Sequence, residues 1–207
     1  ETPRTGWGDP DLQGMWSYAS LTPLQRPADL ADREFYTPEE AAARDVSVTR
    51  DVPPRPGDVG AYNALWFDRG RVSPDRRTSL IVNPADGRLP VRPETEQRAV
   101  VQREHRRMHP ADSWLDRSNW DRCITYHGVP PVSTGYNNTY QIFQAPDYVA
   151  ILVENIHDVR IIPLDGRPQL DDGIRQWNGS SRGRWEDDTL VVETANFSHQ
   201  TQHRFPS

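Results

Sequence analysis

The densest apolar run of this otherwise polar sequence lies between residues 148 and 164, and polar residues interrupt it once. Two blocks rich in β-branched side chains, Val149–Val153 and Val159–Leu164, flank the polar centre. Blocks of this length and composition predict two strands joined by a tight connection. Because each block is apolar at consecutive positions, we expect both faces of these strands to be covered.

The rest of the pattern predicts short elements separated by turns. A helix is expected to begin after Thr37, where a capping residue is followed by a proline and two glutamates, and to end near Arg44. A second helix is expected over Pro93–Met108, with arginines crowding its last turn. Further strands are predicted at Thr78–Val82, Tyr140–Gln144 and Ile174–Trp177, and a hairpin around Asp187 and Asp188 is predicted to join Arg184–Glu186 to Thr189–Thr194.

These elements predict a mainly β fold, an antiparallel meander that closes toward a barrel or a strongly curved sheet, with two short helices in the N-terminal half. We expect a single domain over residues 1–207, in which residues 1–60 form an extended and helical segment that packs on the sheet. The Gly- and Ser-rich segment 179–183 indicates a mobile loop.

Composition excludes several kinds of chemistry. All 24 basic residues are arginine, so a Schiff-base lysine, a lysine general base and a phosphate-loop lysine are excluded. The single cysteine, Cys123, excludes an intrachain disulfide and a cysteine-based zinc cluster. Nucleotide-binding glycine motifs and serine-hydrolase motifs do not occur, so we expect no cofactor.

Charge and hydropathy argue against two kinds of partner, and the expected partner is the small-molecule ligand of the site candidates described below. The net charge of −6 argues against binding to nucleic acid or to an anionic membrane surface. Apolar runs also stay well short of the roughly 20 residues of a membrane-spanning helix.

Five strings of the sequence carry a resemblance to a known family: YNALWFDRG, RTSLIVNPADGRLP, DRCITYHGVP, ENIHDVRIIPLDGRP and SRGRWEDDTLVVETANF. They cover most of residues 6–197 and resemble a bacterial family of uncharacterised proteins that are taken to be exported. The family's usual form of the last string has Gly where this chain has Asp187. The resemblance implies a β-rich, barrel-like fold and a periplasmic or secreted location, and it transfers no activity.

The same resemblance implies that a further strand pairs with the edge of the sheet. Similar chains continue beyond the last residue of this one, with further strands and a Cys-His-Glu-Gly-Asn-Tyr motif. An open sheet edge invites another strand. We therefore expect Thr189–Phe197 or a neighbouring strand to pair with a second polypeptide segment or with a second protomer.

The polar centre of the apolar run crowds together four titratable residues: Glu154, His157, Asp158 and Arg160. Such crowding beside an apolar wall shifts pKa values. One interpretation is general acid–base catalysis, in which His157 carries the proton and Glu154 or Asp158 orients it. Arg160 would then hold an anionic oxygen. The alternative is a hairpin turn in which Asp158 caps the backbone and Glu154 pairs with Arg160 across the strands.

A second cluster lies in one loop and comprises Arg122, Cys123, Tyr126 and His127. Cys123 could act as a nucleophile with His127 as its base, but a buried structural cysteine fits these surroundings better. Tyr126 and His127 can line a pocket under either interpretation.

Two histidines have a spacing that suits metal binding. His105 and His109 lie four residues apart in the second predicted helix and share one face. Arg106 and Arg107 lie between them and repel a cation, so we expect a solvated helix end without a metal.

Aromatic residues are the remaining candidates: Trp114, Trp120, Tyr136, Tyr140, Trp177 and Trp185. Only 35% of the chain is hydrophobic, so some of its tryptophans must form the core, and we expect this of Trp16 and Trp185. Trp120 and Trp177 lie in polar surroundings and are expected to face a ligand, because aromatic faces suit both sugars and small aromatic molecules.

Two functions follow from these candidates. The first is a cofactor-independent lyase or isomerase that works by proton transfer on a small apolar or aromatic metabolite in the mouth of a barrel. Its substrate would contact Trp120, Tyr126, His127, Tyr140 and Trp177. The second is a noncatalytic exported module that binds a glycan or a small hydrophobic ligand.

Overall fold

The computed structural model describes residues 2–30, 32–47, 66–126 and 132–201. Its contacts divide the chain into two compact units. Unit 1 takes residues 1–17, 94–131 and 139–207, and unit 2 takes residues 18–93 and 132–138. That residues 1–207 form one domain stays a prediction.

Unit 1 contains both sheets of the described chain. Four antiparallel strands lie in the order β1-β2-β3-β4, so β2, β3 and β4 form a meander and β1 pairs with the outer side of β2. The second sheet is the hairpin of β5 and β6. The strands are β1 Gly14–Ser17, β2 Thr139–Ala145, β3 Tyr148–Val153, β4 Val159–Pro163, β5 Ser180–Glu186 and β6 Thr189–Ala195. Together with two α-helices, these antiparallel sheets confirm the prediction of a mainly β protein.

The hairpin packs against β4 with one face and exposes its other face. Gly183 lies on the packed face, where an added Cβ would come within 2.7 Å of side-chain atoms of Ile162 and Leu164. On the exposed face Arg184 forms ion pairs with Glu186 and Glu193. The alternation of polar and small or apolar residues in β5 therefore decides which face of the hairpin meets the sheet.

The described residues fully bury side chains on one face of the four-stranded sheet only. Val149 and Ile162 are paired across β3 and β4 and are fully buried. Phe143, Val159 and Ile161 point to the opposite face and are 48%, 51% and 53% exposed. The prediction that both faces are covered is therefore wrong for the described residues, because the hairpin packs on one side only.

Three local predictions also fail. Residues 78–82 and 174–177 are not strands, and residues 180–183 belong to β5 rather than to a mobile loop. In the first segment the N–H of Thr78 donates to the carbonyl of Glu34 at 2.9 Å, and that of Leu80 donates to Pro23 at 2.8 Å. These hydrogen bonds go to separate loops, so no ladder with a single strand forms. The segment at 174–177 makes one isolated bridge, from Gln176 to Phe197.

Both predicted helices are present, as α1 Pro38–Ser47 and α2 Pro93–Met108. Thr37 and Glu40 form a reciprocal capping box at the start of α1, with hydrogen bonds of 3.2 and 2.9 Å. No helix in the described part of the chain is long and apolar enough to cross a membrane.

Unit 2 has a small apolar cluster of its own, made of Leu30, Tyr36, Ala41 and Val72. A buried amide links its two chain segments. The Nδ2 of Asn138 donates to the carbonyls of Asp68 and Thr134, and its Oδ1 accepts from the N–H of Thr134. Because every polar atom of this side chain has a partner, its burial is tolerated.

Candidate functional site

A compact turn in unit 1 presents aromatic residues to solvent. The hydroxyl of Ser118 donates to Asp121 at 2.8 Å and accepts from the N–H of Asp121 at 3.1 Å. Backbone hydrogen bonds from Arg122 to Ser118 and from Cys123 to Trp120 close the turn. Side-chain capping of this kind fixes a short turn without a long helix around it.

Five residues on and beside this turn form what we call the aromatic platform: Trp114, Trp120, Arg122, Tyr126 and Trp177. The guanidinium of Arg122 lies 4.5 Å from the ring centre of Trp114 and 5.8 Å from that of Trp177. Trp120, two residues before Arg122, packs against Tyr126 at 5.2 Å between ring centroids. Trp114 and Trp120 remain 59% and 46% exposed. The platform is therefore an accessible surface rather than part of a core.

Trp114 is held by a second capped turn. Ser113 caps the 3₁₀ turn Trp114–Asp116, accepting from the N–H of Leu115 and donating its own N–H to Asp116 at 2.7 Å. That backbone hydrogen bond, with a further contribution from His105, holds the pKa of Asp116 below its ordinary value. The carboxylate is thus kept charged where it stabilises the turn.

Trp177 is held through its neighbour Asn178. The side-chain carbonyl of Asn178 accepts from the hydroxyl of Thr125 at 3.1 Å, which ties the Trp177 segment to the turn that carries Trp120. The backbone carbonyl of Trp177 also accepts from the hydroxyl of Thr201 at 2.9 Å. Residues far apart in the sequence are in this way fixed beside one another.

Arg160, a predicted catalytic residue, supports this arrangement from β4. Its Nη1 donates to the carbonyl of Asn178 at 2.9 Å and to the hydroxyl of Ser181 at 3.0 Å. Burial lowers the pKa of Arg160, and nearby Tyr140 and Asp158 partly oppose that effect. In the described part of the chain the guanidinium makes no hydrogen bond or ion pair with Glu154 or Asp158. The cross-strand pair of Glu154 with Arg160, expected in the hairpin alternative, is therefore absent.

The other members of the predicted catalytic cluster lie in the connection between β3 and β4. Glu154 is exposed, and its N–H donates to the carbonyl of Thr139 at 3.0 Å. The backbone of His157 lies in the 3₁₀ turn Asn155–His157. Ile156 in that turn has φ 59°, a left-handed conformation that a β-branched residue rarely adopts. The catalytic role of Glu154, His157 and Asp158 stays a prediction.

The predicted substrate-binding residues are only partly brought together. Trp120, Tyr126 and Trp177 all belong to the aromatic platform. Tyr140 lies in β2, opposite Trp16 and Val153 in the ladder. His127 lies outside the described residues.

Two side chains expected in the interior are exposed. Cys123 is exposed and has φ 54°, so the prediction of a buried structural cysteine is wrong; the capped turn that contains it lies on the surface. Trp16 is also exposed, although its Nε1 donates to the carbonyl of Leu12 at 2.8 Å. Its strand lies at an edge of the sheet, where less of the ring is covered.

His105 and His109 stack at the end of α2 with 4.8 Å between ring centroids. Each makes its own carboxylate contact, with Asp116 at 3.2 Å and Asp112 at 2.7 Å. Among the described residues, no group of three or more His, Cys, Asp and Glu side chains is arranged to hold a metal ion.

Two concave surfaces lie away from the aromatic platform. A depression of about 280 Å³ in unit 2 is lined by Leu30, Tyr36, Glu40, Ala43, Arg44 and Ser47, and one of about 410 Å³ on α2 is lined by Glu94, Gln97, Arg98, Val101 and Gln102. Neither contains a predicted site residue, so a ligand pocket in the mouth of a barrel stays a prediction.

Sequence reasoning missed the partnership of Arg122 with Trp114 and Trp177, and the roles of Thr125 and Asn178. In the sequence Arg122 stands out only as a neighbour of Cys123. The recurrence of Trp, Asp and Arg between residues 114 and 122 was a usable signal for Trp114. No local pattern indicates Thr125 or Asn178, because their hydrogen bond joins positions 53 residues apart.

No family model matches the chain, and no significant match is found among curated proteins or solved structures. The fold and the site therefore define the protein only by class, as a mainly β protein with an exposed aromatic surface on its larger unit.

Proposed function

We propose that this protein is a noncatalytic binding module whose aromatic platform takes a glycan or a small hydrophobic ligand. The observation that supports the proposal is the exposure of Trp114 and Trp120 on turns closed by side-chain hydrogen bonds. Exposed tryptophans are costly to hydrate, and rigid aromatic faces stack on sugar rings with little loss of conformational entropy.

A glycan-binding screen followed by tryptophan fluorescence titration tests this function. A ligand on the platform should change the emission of Trp114, Trp120 or Trp177, and removing platform tryptophans should remove both the fluorescence change and the affinity. Binding that survives removal of Trp114 and Trp120 would place the ligand elsewhere and end the proposal.

The first function predicted from the sequence, proton transfer by a lyase or isomerase, remains a second candidate. The observation that favours it is the left-handed backbone of Ile156, directly before His157. Strained conformations of this kind cluster at functional sites. In this proposal His157 is the acid–base group, and Glu154 or Asp158 orients it.

Deuterium exchange tests the catalytic candidate without knowledge of the product. A ligand found in the screen is incubated with the protein in D₂O, and mass spectrometry follows incorporation of deuterium at carbon. If His157 transfers protons, His157→Ala should slow incorporation by roughly 100-fold, the usual scale for an acid–base group. Equal rates with the wild-type protein and His157→Ala would reject the role of His157.

A second polypeptide segment or a second protomer is expected from the sequence to pair with Thr189–Phe197 or a neighbouring strand. We propose that it pairs with β4, the edge strand against which the β5–β6 hairpin packs, and extends the sheet toward a barrel. In β4 the N–H groups of Val159 and Ile161 point away from β3, because ladder hydrogen bonds alternate along an antiparallel pair. Neither group has an acceptor in the described part of the chain. Their side chains are apolar and exposed, whereas sheet edges usually carry charges that prevent pairing. The family resemblance supports the same completion, and a periplasmic or secreted location.

Residue-resolved amide exchange measures this pairing. If a strand covers β4, the amide of Ile161 should exchange at least about 100-fold more slowly than in an unstructured peptide. The amide of Arg160 faces β3 and serves as the internal control, protected in either case. Rapid exchange at Ile161 together with slow exchange at Arg160 would show that the edge is open in solution.

A further inference from the structure

We propose that the ligand of the aromatic platform carries a carboxylate on its ring and that Arg122 binds this carboxylate. The inference rests on the proposed binding function and names the chemical class of the ligand. A sugar ring with a carboxylate, such as a uronic acid unit in a glycan, meets both requirements.

Arg122 has free hydrogen-bonding capacity. Its guanidinium contacts the faces of Trp114 and Trp177 but makes no hydrogen bond or ion pair with any described residue. A guanidinium over an aromatic ring is attracted through its charge, so this contact leaves its five N–H donors available to other partners. Those N–H groups form the planar fork that binds a carboxylate with two parallel hydrogen bonds.

Carboxylates close to Arg122 in the sequence are already engaged with other groups. Asp121 accepts from the N–H and the hydroxyl of Ser118. Asp116 contacts His105 and accepts from the N–H of Ser113. Arg122 therefore has no counterion among the described residues, although acidic residues outnumber basic ones in the chain by 30 to 24.

The position of this cation beside the tryptophans makes the site selective for a combined ligand. The guanidinium lies within 5.8 Å of the ring centres of both Trp114 and Trp177, so a ligand ring held against either indole would bring a carboxylate substituent within reach of Arg122. Desolvation by the indole faces strengthens the attraction between the guanidinium and an anion. A neutral sugar uses only the stacking surface, whereas a sugar acid uses the surface and the cation together.

The test compares trigalacturonic acid with its methyl ester, which has the same rings without the charges. Fluorescence titration of the wild-type protein should show about tenfold tighter binding of the acid, the scale of one charge-assisted contact. Raising sodium chloride from 50 to 500 mM, about a tenfold change in ionic strength, should weaken binding of the acid and leave the ester unaffected.

Variants assign the preference to Arg122. Arg122→Gln should bind acid and ester equally, with the affinity of the wild-type protein for the ester, and Arg122→Lys should recover part of the preference. Arg117→Gln is the matched control, since Arg117 lies in the same loop but contacts no aromatic ring of the described chain, and it should keep the full preference.

The outcomes separate this inference from the proposed function. Equal affinity of the wild-type protein for acid and ester would overturn the carboxylate assignment and leave sugar binding in place. A preference for the acid that persists in Arg122→Gln would overturn the role of Arg122. Failure of both compounds to bind, together with no hit in the wider glycan screen, would overturn the proposed function itself.

Discussion

Replacing both Trp114 and Trp120 by alanine is expected to weaken ligand binding about 100-fold while the protein stays folded. Each stacked ring contributes roughly 1–1.5 kcal/mol to the free energy of binding, and two rings together amount to about a factor of 100. Both side chains are about half exposed. The free energy of unfolding should therefore fall by no more than about 1 kcal/mol, mostly from the lost contact of Trp120 with Tyr126.

Trp66→Ala provides the matched control for this double variant. Trp66 is 62% exposed and lies in unit 2. Its substitution therefore removes an exposed tryptophan, as in the double variant, but leaves the aromatic platform unchanged. Titration should give wild-type affinity for this control. A double variant that binds as tightly as the wild-type protein would show that the platform does not hold the ligand.

Gly179→Ala is expected to destabilise unit 1 by more than about 3 kcal/mol. Gly179 has φ 67°, which costs an L-residue about 1 kcal/mol or more. An added Cβ would also lie 2.6 Å from the backbone oxygen of Ala195 and 2.7 Å from Thr194. The backbone oxygen belongs to β6 and cannot move alone, so the hairpin must separate locally.

Gly166→Ala separates the cost of the left-handed backbone from the cost of the close contact with β6. Gly166 has a similar φ of 73°, but an added Cβ there would meet nothing within 4 Å. Its substitution should cost only about 1 kcal/mol, from the backbone conformation. Urea unfolding of both variants measures the difference, and equal destabilisation would contradict the close approach at β6.

Gly179→Ala should also weaken binding, because Gly179 directly follows Asn178 and Trp177. Asn178 accepts hydrogen bonds from Arg160 and Thr125, so a shift of the Gly179 backbone displaces the segment that carries Trp177. At urea concentrations where the variant is still folded, its affinity should fall while that of Gly166→Ala stays at the wild-type value.

Local interactions explain what the sequence alone was able to predict. The start of α1 was predictable because Thr37 and Glu40 cap each other three residues apart. The meander was predictable because β-branched runs and the turn between β2 and β3 are close in the sequence. Asp187, with φ 52°, lies in the two-residue turn that was predicted between β5 and β6. In each case the decisive contacts join residues within a few positions of each other.

Tertiary structure alone decided the rest. Which sheet face is covered depends on where the β5–β6 hairpin packs, and no periodicity within β3 or β4 contains that information. Arg160 looked like a catalytic cation in its local sequence, yet it hydrogen-bonds to residues 18 and 21 positions away. In the same way, the guanidinium of Arg122 contacts the ring of Trp177, which lies 55 residues further along the chain. Contacts between residues so far apart in the sequence depend on how the elements pack together. The side-chain pattern within one segment specifies only the local geometry of that segment.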